Sequence, residues 1–171
     1  MVMPIYRVRQ DQNYEYLWVA DKDRTAWENM MPCHLSARGV PLKSMWNDDW
    51  ELAVLENEDD IAHPGGVGDF ADMNKLIATN ERGLKFLRPL LGDSAEELTA
   101  TFQGRDVWLF NVIRRVDRKD LGKLETGAVF RINPVGLDIL CGPDFKQAVE
   151  KSGLTGMIFT KVDPDDQFGM V

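Results

Sequence analysis

Histidine and cysteine are scarce in this sequence, with two of each in 171 residues. Cys33 and Cys141 stand far apart and make no disulfide framework, so in a chain without an export signal they read as buried thiols. Cys33-His34 is a tempting metal pair, but adjacent residues rarely point at one ion. No Cys-x-x-Cys or His-x-x-x-His half is present to complete a zinc site. His63 stands alone. We therefore expect no metal and no cofactor. Positive charge is also short: Lys and Arg number 20 against 28 Asp and Glu, a formal net charge of −8. A phosphate backbone calls for a cationic surface, so nucleic acid is excluded as an expected partner. An acidic surface instead steers basic partners toward itself. Long apolar runs are missing, so no membrane span is expected. The opening "MVMPIYRVRQ" has no basic region leading into an apolar stretch, which places the chain in the cytoplasm. Internal repeats and low-complexity tracts are missing too.

What is present is an ordinary globular balance, 44% hydrophobic and 28% charged. A chain of this length removes roughly 70% of its unfolded surface from water on folding, enough for a core without staples. Ile5 to Arg9 and Tyr14 to Ala20 read as strands, with Tyr14, Tyr16 and Trp18 on one face. "DKDRTAWENMM" reads as a short helix begun by Asp21 or Asp23, with Ala26, Trp27, Met30 and Met31 on its apolar side and Pro32 as its stop. "WELAVLEN" alternates as a strand with Trp50, Leu52 and Val54 on one face, and "ENEDDIAHPGGVGD" reads as an exposed loop. Thr79 is the expected N-cap of "NERGLKFLRPLL", and Pro89 is expected to end or kink that helix near Arg88. "ELTATF" and "VWLFNVI" form a hairpin through Gln103-Gly104-Arg105. "GPDFKQAVEKSGLTG" is a helix with Pro143 at its first position and Gly153 as its left-handed stop, Leu154 folding back on its last turn. "VFRI" and "GMIFTKV" follow as strands. Hairpins and isolated helices without a βαβ rhythm indicate α+β: one mainly antiparallel sheet with a few helices packed on one side. Residues 1–162 make this single domain, and 163–171 a flexible acidic tail.

The signatures of common chemistries are absent. "GGVGD" lacks the Gly-Lys-Ser/Thr that completes a phosphate loop. No Gly-x-Ser-x-Gly elbow occurs, and the carboxylate runs lack the alternating spacing of a calcium loop. In "VWLFNVIRRVDRKD" both faces of the strand are apolar, so Asn111 sits among hydrophobes and has its amide satisfied by backbone. No nucleophile or base lies near it, and no catalytic residue is expected. Arg114, Arg115, Arg118 and Lys119 alternate with Asp117 and Asp120 as a self-paired, solvated turn. The segment "MWNDDWELAVLENEDD" carries Trp46, Asp48, Asp49, Trp50, Glu51, Glu56, Glu58, Asp59 and Asp60. Aromatic anchors ringed by charge are what interfaces use for energy and steering, so these nine residues are the expected partner-binding set.

The succession "GDFADMN", "ATNERGLKFLRPLL", "GRDVWLFNVIRRVDRKD", "VFRI" and "CGPDFKQAVEKSGLTGMIFTKV" resembles a family of bacterial polymorphic-toxin immunity proteins, over roughly Gly68 to Val162. The order and spacing of these segments carry the resemblance. It implies a non-enzymatic protein that binds and neutralises a cognate toxin encoded by an adjacent gene. The motif residues Asp69, Phe70, Asn111, Phe145 and Gly153 read as structural, so the contact surface is expected elsewhere, on the acidic Trp-bearing segment. The alternatives are a small cytoplasmic enzyme with an acidic cleft, betrayed by carboxylates of displaced pKa, or an adaptor subunit with no toxin.

Overall fold

Two-residue turns set the register of the larger sheet. The computed structural model describes residues 3–32, 37–56 and 62–163. Gln103 and Gly104 both have positive φ, 51° and 74°, as a type I′ turn demands. They join β6 (Ala95–Phe102) to β7 (Arg105–Val112), with Ala95 opposite Val112 and Phe102 opposite Arg105. Asn74 and Lys75, at 52° and 69°, do the same between β4 (Phe70–Met73) and β5 (Leu76–Thr79). With β2 (Leu17–Val19) and β3 (Glu51–Val54) these make six strands in the order β2-β3-β6-β7-β5-β4, antiparallel except where β3 meets β6. The edge strands β2 and β4 come back into contact, so the sheet nearly closes on itself.

Leu17, Val19, Leu52, Ala71, Ala78, Leu98, Ala100 and Leu109 fill the inside of that near-barrel. One end is stoppered by Trp27 of α1 (Arg24–Met30) together with Leu42 and Trp50. Among the described residues, the other end, at the β6–β7 turn, has no such plug. Phe70, Ile77 and Phe110 point outward to a second core, made with α2 (Glu81–Leu91), α3 (Pro143–Ser152) and one face of a smaller sheet. That sheet runs β11 (Met157–Lys161), β1 (Tyr6–Gln10), β10 (Leu140–Cys141), β9 (Val129–Ile132), β8 (Arg115–Val116), antiparallel apart from β8 with β9. Its far face buries Ile5, Phe130, Ile132 and Leu140.

The α+β class and the mainly antiparallel pairing hold. The strands divide between two sheets, because β5 and β7 are apolar on both faces and each face must be covered. α2 and α3 share one side of the larger sheet, and α1 closes the core on the other. No described helix is long and apolar enough to cross a membrane.

Local readings shifted in several places, the first being the strand expected over Tyr14 to Ala20, which is confined to Leu17–Val19. Asn80, not Thr79, caps α2: its side chain accepts from the Gly83 N–H at 2.9 Å, while the buried Thr79 hydroxyl donates to the Trp108 carbonyl. Pro89 neither ends nor breaks α2, which runs on to Leu91. The missing N–H falls in the last turn, where the loss is a single bond. Two residues of the basic cluster pair outside their own turn. Arg114 grips Glu125, and Arg115 donates to Asn133 and to the carbonyls of Arg38 and Pro134. Asp120 does pair locally, with Lys123 at 2.6 Å. Cys141 is a buried free thiol, pushed up to about 12 by burial. Cys33, His34 and the tail from 164 onward lie outside the described residues.

Candidate functional site

The Trp-bearing segment begins in a 3-10 turn over Lys43–Met45 that is held from below. The Glu96 carboxylate accepts from the Leu42 and Lys43 N–H groups, at 2.5 and 3.3 Å, and from the Asn111 amide at 2.8 Å. Asn111 also donates to the Val40 carbonyl at 2.9 Å. This buried asparagine therefore ties a loop to the barrel. Beyond it Trp46, Trp50 and Trp27 meet edge to face with ring centroids 5.4 to 6.3 Å apart. Trp50 is 4% exposed, and Trp46 is half-buried with its indole N–H donating to the Thr99 carbonyl at 2.7 Å. Both tryptophans belong to the stopper of the barrel, so they are packing residues of the free protein rather than free anchors.

The carboxylates around them are outside. Asp48 is exposed and accepts from the Thr99 hydroxyl at 2.7 Å, and Asp49 is exposed beside it. Glu51 pairs with Lys22 at 2.6 Å on the outer face of β3, and Glu56 is exposed just past the strand. Glu58, Asp59 and Asp60 lie outside the described residues. Asp48, Asp49 and Glu51 thus lie at the surface around the start of β3, and Glu56 past its end, where it borders an apolar groove. Trp18 on β2 and Ala53 on β3 sit opposite one another, with Leu55 42% exposed beyond them. A groove of about 330 Å³ runs along Trp18, Ala53, Val54 and Leu55, with Asp21, Arg24 and Glu56 at its margin. No side chain of β2 or β3 enters the core beneath α2 and α3. Among the described residues, α2 and α3 cover the β7–β5–β4 half of the sheet and not this half. Trp18, Asp21 and Leu55 were not in the expected set, and the period-two face expected for Tyr14, Tyr16 and Trp18 is not formed, because the strand covers only Leu17–Val19.

The motif residues are built into the scaffold. The Asp69 carboxylate is buried and accepts from the Asn80 amide at 2.8 Å and from the Thr155 N–H and hydroxyl. Burial raises its pKa, but these hydrogen bonds and the Arg82 charge prevail and hold it below the usual carboxylate range. Phe70 and Phe145 are core, and Gly153 has φ 72° at the end of α3. Burial raises the Asp72 carboxyl against the pull of Lys75, yet the space it borders is about 20 Å³, room for one water and no substrate. His63 Nδ1 lies 2.6 Å from the Gln12 carbonyl oxygen, to which its N–H donates. Comparison with protein-family models and with curated proteins returned no match to this chain.

Proposed function

We propose that the protein is a cytoplasmic immunity protein that neutralises a toxin by binding it directly through the bare outer face of β2 and β3. The observation that carries this reading is a strand pair, uncovered among the described residues, whose groove over Trp18, Ala53 and Leu55 has Asp21, Arg24 and Glu56 at its margin, with Asp48, Asp49 and Glu51 at the surface around the start of β3. An apolar centre excluded from water inside a charged rim is the anatomy of a protein interface. A net charge of −8 suits a toxin whose own surface is basic. The resemblance of residues 68–162 to immunity proteins supports the same reading. That stretch is mostly scaffold, so it speaks for the class, and the bare face speaks for the mode of action.

The test is co-expression with the product of the adjacent gene in a host lacking both, scored by growth and then by co-purification. Rescue of growth with a stable complex is the expected result. A neighbour that is harmless, or toxic without rescue, would overturn the proposal.

A further inference from the structure

The unplugged end of the near-barrel holds a cleft of about 430 Å³, within the range of small-molecule sites, which favour the mouths of barrels. Its floor is apolar: Leu17, Ala71, Ala78, Phe102 and Val107. The two alanines face each other across β4 and β5 and leave the depth that larger side chains would fill. Over this floor stands Arg105, the first residue of β7, on the same face of the strand as Val107. Arg105 has no hydrogen-bond or ion-pair partner among the described residues. Two other polar groups of the mouth are occupied, while Gln103 and Asp106 also line it. Asn80 is bound to Asp69 and Gly83, and Thr79 donates to the Trp108 carbonyl. A guanidinium above an apolar floor presents five donors to one anionic group, with the Asp106 carboxylate as the neighbouring charge.

We propose that this mouth binds a small amphipathic carboxylic acid, its apolar body on the alanine floor and its carboxylate on Arg105. The site lies at the β6–β7 turn, on the inner face of β2 at Leu17 and not on the outer face of Trp18, and does not depend on any toxin. Asp106, also at the rim, disfavours a dianion and restricts the ligand to one negative charge. A free aliphatic acid and the apolar C-terminus of a peptide share this chemistry.

The experiment is an amide-resolved NMR titration of the isolated protein with octanoate and, in parallel, with N-acetyl-leucine. Saturable shifts confined to the amides around Ala71, Ala78 and Val107 are expected, and the tighter of the two probes assigns the ligand to free acids or to chain ends. Octanol, lacking the charge, should bind more weakly. Arg105→Gln, at an exposed position, should keep the fold and weaken the acid about tenfold while leaving octanol unchanged. No shift up to about 10 mM of either acid, shifts scattered over the surface, or equal affinity in Arg105→Gln would each overturn the proposal.

Discussion

At the scale of the residue, the position that most determines the architecture is Arg131. It is fully buried on β9 and faces no carboxylate at bonding distance; its guanidinium donates to four carbonyls instead. Nε reaches Val112 at 2.8 Å, Nη1 reaches Gly136 at 3.1 Å and Leu137 at 2.8 Å, and Nη2 reaches Lys75 at 2.8 Å. One side chain thereby joins the end of β7, the β4–β5 turn and the 136–137 loop, and so fastens the two sheets together. Burial and the nearby Arg115 lower its pKa to about 10, against the pull of Asp138 and Asp72, so it remains charged at neutral pH. Arg131→Met keeps the volume and leaves four carbonyls without their donors. The expected loss is more than about 3 kcal/mol, measured as a lower urea midpoint. Arg131→Lys should recover little of it, because a point ammonium cannot span a fork of acceptors. None of this was legible in "VFRI". The acceptors lie 5, 6, 19 and 56 residues away, and no local pattern records them.

At the scale of the element, the sequence located α2 and α3 well because their caps and apolar stripes are local. The N-cap of α2 was misplaced by one residue for a tertiary reason. Thr79 and Asn80 are both good caps, and pairing of Thr79 with Phe70 and Trp108 holds it in β5, leaving the cap to Asn80. Gly83 shows the same competition between local preference and packing. A glycine inside a helix normally gives way to alanine with a gain of about 1 kcal/mol. Here a Cβ would stand 2.8 Å from the Asp69 carbonyl oxygen and 3.0 Å from both the Phe70 ring and Thr79 Cβ. Two of these neighbours are backbone or a β-branched stem and cannot turn aside. Gly83→Ala should therefore destabilise by about 1–3 kcal/mol in chemical denaturation, the sign opposite to helix propensity. A stabilised variant would mean that α2 does not sit as closely on β4 and β5 as the distances say.

At the scale of the whole molecule, the acidic surface around β3 was legible and the apolar groove beside it was not. Carboxylates stay in water wherever the strand goes, so Asp48, Asp49, Glu51 and Glu56 could be placed outside from composition alone. A tryptophan can serve either side of a strand. Its assignment depended on which sheet face α1 would close, which no alternation within "MWNDDWELAV" decides. The consequence for association is specific. If the β2–β3 face meets a basic toxin, charge near that face sets the encounter rate, and charge elsewhere on the molecule matters far less beyond a screening length of about 8 Å. Asp49→Lys combined with Glu56→Lys changes the net charge as much as Asp93→Lys combined with Glu150→Lys. The first pair flanks β3, and the second lies at the end of α2 and on α3. In stopped-flow mixing with the toxin at low salt, the first pair should slow association about tenfold and flatten its salt dependence. The distant pair should leave both near the wild-type values. Equal slowing by the two pairs would assign the effect to overall charge and remove the β2–β3 face as the contact surface.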